Sequence, residues 1–125
     1  METAVQLELE RARSCLQAAE VLADAGLHAD AVSRAYYALF HAATALLVRI
    51  GRSVRNHDGV RAVVAEQFIR PGTLDRRFDR LMARIAADRQ DAEYNVAATF
   101  TAADAREDID GAADFLAEVK RLLTS

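Results

Sequence analysis

The chain has 125 residues, enough for one domain with one hydrophobic core and too few for two domains of ordinary size. Hydrophobic residues make up 52% of it and charged residues 28%, the balance of a folded protein and not of a disordered one. It contains 27 alanines but only 5 glycines and 1 proline, so strong helix formers occur with few helix breakers. This composition argues against sheet-rich folds that turn every few residues.

Charge is distributed unevenly along the chain, whose net charge is −3. Residues 1–30 carry 2 basic and 6 acidic side chains, residues 31–90 carry 11 and 5, and residues 91–125 carry 3 and 8. A basic middle between acidic ends has two interpretations: a site for an anionic partner, or ion pairing between helices of one bundle.

The single cysteine, Cys15, excludes an internal disulfide and any cysteine-based zinc site. Its neighbours follow a helical pattern of apolar residues, which predicts a buried, unreactive thiol. The acidic N-terminus shows no signal-peptide pattern, and the longest uncharged run, residues 35–48, is too short to span a bilayer. We therefore expect a cytoplasmic protein that does not associate with a membrane.

Apolar spacing predicts five helices and no strand, in one all-α antiparallel bundle that occupies residues 1–125. Gly26 and Gly51 are suited to end the first and second helices, and Asn56 and Thr73 to cap the third and fourth. The predicted helices cover residues 2–25, 29–50, 57–70, 73 to a point between 89 and 95, and 101–123.

Two further signals mark helix ends. Pro71 and Gly72 form the stop after the third helix, because proline cannot continue a helix and glycine favours its end. Thr101 and Asp104 resemble a capping box at the start of the fifth, with aspartate in place of glutamate.

The second predicted helix has a polar stripe opposite its apolar face. Arg34, Tyr37 and His41 share this stripe and are flanked by small residues, which allow another helix to approach closely. They are either satisfied polar residues at a seam between helices or a stripe that faces a cleft or a second subunit. The apolar face comprises Val32, Tyr36, Leu39, Ala43, Leu46, Leu47 and Ile50.

Arg89 on the fourth helix occupies a position where an apolar residue is expected. Continuing the helix places it beside Met82, near the centre of the apolar stripe, with Glu93 one turn later on the same side. An arginine there must be paired or face a wet cleft, because an unpaired buried charge is very costly. We expect an Arg89–Glu93 pair, and a cleft shared with Tyr37 or His41.

The other arginines of the fourth helix lie on its opposite side. We expect Arg76, Arg80 and Arg84 to form a solvated face with intrahelical partners such as Asp79. Phosphate binding by this row is the alternative.

The three histidines, His28, His41 and His57, lack the spacing of metal ligands, so no metal is expected. Nor does the sequence contain a phosphate-cradling glycine loop or a nucleophile motif, and no cofactor is expected. His57 comes at a helix start, where a histidine is more often a cap or a loop hydrogen-bonding residue than a catalyst.

Three motifs give the chain a resemblance to a known family. The segment SRAYYALFHAA at residues 33–43 resembles the second-helix signature of HEPN domains (higher eukaryotes and prokaryotes nucleotide-binding) of the small stand-alone bacterial and archaeal branch. NHDGV at residues 56–60 and RQDAEY at residues 89–94 resemble two further elements of that branch. The motifs match in order and spacing from about residue 5 to residue 123.

The resemblance implies an antiparallel helical bundle that forms a homodimer and pairs with a minimal nucleotidyltransferase in a toxin–antitoxin-like system. It also implies a metal-independent endoribonuclease built on an arginine followed, after four to six residues, by a histidine. This chain has Tyr94 where that histidine is expected after Arg89. Arg52 and His57 fit the spacing, but they lie between the second and third helices, and we interpret the fit as chance.

The resulting hypothesis is a HEPN-type module that binds a nucleotidyltransferase, and RNA or a nucleotide, through a cleft around Arg89. The alternative is a ribonuclease toxin in which a histidine from another helix, His41 or His57, serves as acid or base, as ribonucleic acid cleavage requires. The resemblance also makes Tyr94 a candidate for adenylylation by the partner. The candidate residues are Arg89, Tyr94, His41 and His57 for catalysis, and Arg34, Tyr37 and Glu93 for the binding cleft.

Overall fold

A computed structural model describes residues 3–124 and contains five α-helices, with no strand in that range. The prediction of an all-α bundle is confirmed. A π-helical turn, Ala65–Ile69, extends the third helix to nearly the predicted length. The predicted start at Glu2 lies outside the described residues. The helices are α1 (Thr3–Asp24), α2 (His28–Arg49), α3 (His57–Val64), α4 (Arg77–Tyr94) and α5 (Ala102–Thr124).

The central helix is α2, which contacts each of the other four. Helix pairs α1–α2, α1–α5 and α4–α5 run antiparallel, and α2 and α5, both antiparallel to α1, therefore run in the same direction. On α4 and α5, for example, Arg77 pairs with Asp114 while Arg84, seven residues later, pairs with Asp108, six residues earlier. The turn between α1 and α2 is only three residues long, which also requires antiparallel neighbours. The short α3 closes the bundle against α2.

Alanines let α2 pack closely on all sides, because a methyl group allows two helix axes to approach. By length and composition α2 could also cross a membrane, but 61% of the relevant window is buried inside the bundle, as expected for a core helix. The predicted apolar face of α2 is buried except for Ile50, which is exposed because the helix ends there. Its fully buried alanines are Ala31, Ala35, Ala38, Ala42, Ala43 and Ala45.

Most of the predicted helix ends are confirmed. Gly51 turns the chain away after α2 with φ of 74°, a conformation that favours glycine. At the start of α3, the Asn56 side chain accepts a hydrogen bond from the Gly59 backbone N–H at 2.6 Å. At the start of α5, Thr101 and Asp104 exchange reciprocal side-chain to backbone hydrogen bonds of 2.8 and 3.1 Å.

The predicted start of the fourth helix at Thr73 is wrong, since α4 begins at Arg77. The chain first inserts Leu74 into the core, where it is completely buried, and its backbone N–H bonds to the carbonyl of Phe68 at 2.8 Å. Helix α4 begins only after the chain has placed Leu74 in the core. Asp75, and not Thr73, accepts a hydrogen bond from the backbone N–H of Arg77 at 2.8 Å.

The arginine row of α4 also differs from the prediction. Arg76 and Arg80 are exposed, and neither pairs with Asp79 in the part of the chain that the structure describes. Arg84 pairs between helices instead of within α4: its Nε lies 3.2 Å from Oδ1 of Asp108 on α5. Side-chain reach explains the difference, because Arg84 faces α5 across a narrow seam.

Asp108 is the one polar side chain that is fully buried among residues 3–124, with 1% exposed. Burial raises the pKa of its carboxyl, and the neighbouring Asp88 raises it further, against the opposing effect of Arg84. Arg84 is more than a third exposed, so solvent weakens its influence. We therefore expect Asp108 to hold its proton well above the ordinary range of an aspartic acid.

Gly59→Ala should destabilise the start of α3. A Cβ at this position would lie 2.5 Å from Cγ1 of Val54 and 2.9 Å from Oδ1 of the Asn56 cap, so both must shift. We expect the free energy of unfolding, measured by urea denaturation, to fall by about 1–3 kcal/mol, the usual cost of overpacking. An unchanged stability would contradict this packing account.

Asp108→Asn should change how stability depends on pH. A carboxyl whose pKa is higher in the folded protein than in the unfolded chain lowers stability progressively as pH rises above about 4. The variant lacks this loss, so its stability relative to the parent should increase from pH 5 to pH 9 in urea denaturation. Asp114→Asn, on the exposed side of α5, is the control. Parallel pH profiles for parent and Asp108→Asn would refute the raised pKa.

Candidate functional site

Arg89 points from α4 into the corner between α2 and α3, and only 13% of its side chain is exposed. Its Nη1 lies 3.2 Å from Oε2 of Glu93, so the predicted pair is present. Its Nη2 lies 3.2 Å from Nδ1 of His57, and its Cζ lies 4.6 Å from the centre of the Tyr36 ring. A guanidinium from one helix is thus held by groups from three.

His57 is the first residue of α3, and the Asn56 cap fixes the turn that carries it. Its ring packs against Phe40 at 4.3 Å and against Tyr36 at 5.3 Å between ring centres. The Tyr36 hydroxyl lies 2.7 Å from Nδ1 of the same imidazole. His57 is therefore oriented by α2 and brought to Arg89 by the start of α3.

The hydrogen bonds of His57 define its proton arrangement. Arginine can only donate, so Nδ1 of His57 is an acceptor whose single lone pair is shared between the neutral Tyr36 hydroxyl, at 2.7 Å, and the more distant Arg89 N–H, at 3.2 Å. Burial raises the pKa of Tyr36 and keeps its hydroxyl protonated. Burial, followed by the charge of Arg89, lowers the pKa of His57. The imidazole is thus neutral at pH 7, with its hydrogen on Nε2.

A small cavity of about 70 Å³ opens beside this cluster, between α2, α3 and α4. A cavity of this size has room for more than one water molecule, so it suits a small group and not a whole nucleotide. Apolar side chains line much of it, and its charged or polar lining residues include Asp58, Arg61, Arg89 and Gln90. Arg61 has no ion-pair partner among the described residues and adds a second positive charge to the lining.

Tyr37 and Arg34 form an outer layer of the cluster. The Tyr37 ring meets the His57 ring edge-on, with 6.1 Å between ring centres. The Arg34 guanidinium lies over the opposite part of Tyr37, with Cζ 4.7 Å from the ring centre. The structure therefore brings both predicted residues near Arg89, although neither contacts it directly.

His41 and Tyr94 do not join the cluster, contrary to their predicted place in the cleft. His41 faces α1, where its Nδ1 lies 2.8 Å from Oε2 of Glu8, and the Phe40 ring lies between it and His57. Tyr94 is 69% exposed and makes no contact with Arg89 in residues 3–124. Five residues along a helix correspond to a rotation of about 140°, which points Tyr94 away from Arg89.

Sequence reasoning missed the roles of Tyr36 and Phe40. Tyr36 was assigned to the core face of α2, and it is indeed buried, but its hydroxyl serves His57. A buried tyrosine needs a hydrogen-bond partner for its hydroxyl, so the place of Tyr36 on the apolar face of α2 already indicates that a polar group lies beside it. No such signal exists for Phe40, whose contact with His57 depends on where α3 packs.

The described residues contain no group of three or more histidine, cysteine, aspartate or glutamate side chains that could hold a metal ion. The thiol of Cys15 is buried, as predicted, and burial raises its pKa, so it is not a reactive thiolate.

The tautomer and the pKa of His57 can be tested by ¹⁵N NMR. We expect hydrogen on Nε2 at neutral pH, and protonation at a lower pH than the ordinary value of about 6.5. Because the folded-state pKa is lowered, this group costs stability as pH falls below 6.5. Arg89→Ala should raise the pKa of His57, whereas Arg80→Ala on the exposed face should not. Hydrogen on Nδ1 would refute the proposed hydrogen bonds.

Comparison with known proteins assigns the chain to a family. It is 30% identical over 122 residues to a UPF0332 protein of Thermotoga maritima, covering 98% of this chain and 92% of the relative. It is 34% identical over 90 residues, 72% of this chain and 67% of the relative, to "Putative toxin MJ0605" of Methanocaldococcus jannaschii. "Putative toxin MJ0142" of the same organism is 32% identical over 87 residues, 70% of this chain and 59% of that relative. The sequence model of the HEPN domain matches residues 5–122, and the chain therefore belongs to the HEPN domain family.

Proposed function

We propose that this chain is the toxin-like HEPN component of a two-component system and that the cluster around Arg89 binds a phosphate group of RNA or of a nucleotide. The observation that carries the proposal is the position of Arg89: a mostly buried guanidinium that contacts a neutral imidazole and a single carboxylate. Two relatives that carry toxin names support the cellular role.

The charges that line the cavity favour an anionic ligand. Arg61 and Arg89 both line it, and Asp58 is the one acid among the described residues that lines it with them. A forked guanidinium in a partly dry site is well suited to phosphate oxygens, since each hydrogen bond carries part of the charge. The small cavity accommodates one phosphate-sized group, while the remainder of an RNA chain lies across the rim.

Partner binding forms the second part of the proposal. Family membership supports a homodimer that pairs with a minimal nucleotidyltransferase in the cytoplasm. Tyr94 is exposed at the end of α4, next to Glu93, and a partner enzyme can reach its hydroxyl without unfolding the helix. We therefore assign Tyr94 to the surface that the partner contacts or adenylylates, and not to the interior of the cleft.

Ribonuclease activity is the second candidate function, because His57 supplies from α3 the histidine that is missing after Arg89. In the free protein, however, Nδ1 of His57 is occupied by two donors, and its other nitrogen carries the hydrogen. The imidazole is thus arranged to donate to a ligand and not to remove a proton. Cleavage requires both donors to leave Nδ1, with Arg89 moving onto the substrate and the Tyr36 hydroxyl turning away. This candidate function predicts that the protein hydrolyses RNA in the presence of EDTA. His57→Gln should abolish the hydrolysis without abolishing RNA binding.

Arg89→Ala tests the proposed binding site. We expect it to weaken binding of a fluorescein-labelled single-stranded RNA, measured by fluorescence anisotropy, by about tenfold or more through loss of charge-assisted hydrogen bonds. The matched control is Arg80→Ala, which removes the same charge from the exposed face of α4. Equal losses in the two variants would show that RNA responds only to overall charge and would refute a site at Arg89.

A further inference from the structure

Glu93 is the one carboxylate that contacts Arg89 among residues 3–124. The two side chains meet at 3.2 Å, and Glu93 is twice as exposed as Arg89, at 26% against 13%. Glu93 is thus the more accessible member of the pair. It occupies Nη1 in the free protein, so an anion that takes this donor must displace the carboxylate.

Little in the local structure stabilises Glu93 apart from Arg89 itself. An arginine that precedes a glutamate by four residues is the weaker of the two orders for such a pair. Glu93 also lies in the last turn of α4, where exposed backbone carbonyls disfavour a negative charge. Asp91 adds a second negative charge to the same turn. The carboxylate is therefore displaced more easily than one in a well-supported pair.

Displacement of Glu93 would leave Arg89 with no carboxylate in contact with it among the described residues. His57 is neutral and Tyr36 offers the face of its ring, so neither balances the guanidinium charge. Asp58 and Arg61, which line the same cavity, carry opposite charges. A phosphate oxygen at Nη1 would restore the balance that the carboxylate provides in the free protein.

We infer that Glu93 is an internal competitor for the anion site: its carboxylate occupies Arg89 in the free protein and sets how strongly a phosphate must bind to replace it. This inference rests on the proposed binding of phosphate at Arg89. It makes Glu93 the residue that determines which anions the site admits, because those that bind Arg89 too weakly to displace the carboxylate are excluded.

Removal of the competing charge provides the test. We expect Glu93→Gln to lower the Kd for the labelled single-stranded RNA by about three- to tenfold at constant ionic strength. Glu93→Ala, which removes the acceptor entirely, should give a gain at least as large. Asp91→Asn is the matched control, since it removes one negative charge from the same turn on the opposite side of α4. Its effect should remain below about twofold because salt screens distant exposed charges.

The outcomes separate this inference from the proposed function. If Glu93→Gln and Asp91→Asn improve RNA binding equally, the competitor role of Glu93 is refuted. Arg89→Ala then still tests whether RNA binds at Arg89. If Glu93→Gln retains its gain in an Arg89→Ala background, the effect does not pass through Arg89 and the inference fails. If neither the parent nor Glu93→Gln binds RNA, both the inference and the binding site are refuted. Circular dichroism of each variant verifies that the helices are intact.

Discussion

Burial of the Arg89 charge is the constraint on which the site depends. A guanidinium with 13% of its side chain exposed must find acceptors inside the protein, since an unpaired buried charge costs several kcal/mol. Groups from three helices meet this requirement for the two terminal nitrogens and the face of the guanidinium, whereas the buried Nε has no hydrogen-bond partner among the described residues. The ring of Tyr36 comes from α2, the imidazole of His57 from α3 and the carboxylate of Glu93 from α4 itself. The contacts that pair the buried charge of Arg89 where these helices meet therefore also form the candidate site.

The start of α3 determines where His57 lies relative to Arg89. Asn56 caps it, Gly59 leaves room for Val54 and the cap, and His57 occupies the position between them. These residues form the NHDGV motif, whose members are a cap, a histidine that bonds Arg89 and a glycine without space for a side chain. The motif thus places one imidazole nitrogen against one guanidinium. Burial, and then the charge of Arg89, lowers the pKa of His57, which keeps the imidazole neutral and favours binding over acid–base chemistry in the free protein.

Sequence reasoning predicted those features that depend on local geometry. The helices, the caps at Asn56 and Thr101 and the pair of Arg89 with Glu93 all follow from spacings of three or four residues. Features that depend on how distant segments pack were not accessible. His57 and Arg89 are 32 residues apart, and only the position of α3 on α2 brings them together.

The errors have related causes. Thr73 was predicted as a cap, but burial of Leu74 delays the helix and makes Asp75 the capping side chain. The sequence predicts a partner for Arg84 within α4, but the buried carboxyl of Asp108 on α5 is within its reach. In both cases a long-range packing requirement outweighs a local preference.

The contact between Arg89 and His57 can be measured directly by a double-mutant cycle. Free energies of unfolding from urea denaturation at pH 7 are needed for the parent, Arg89→Ala, His57→Ala and the double variant. If the two side chains interact as described, the sum of the two single losses in free energy of unfolding will exceed the loss in the double variant. The expected difference is about 1 kcal/mol, the usual coupling of a partly buried hydrogen bond to a charged group. Additive losses would show that the two residues do not interact, and would contradict the account of the site.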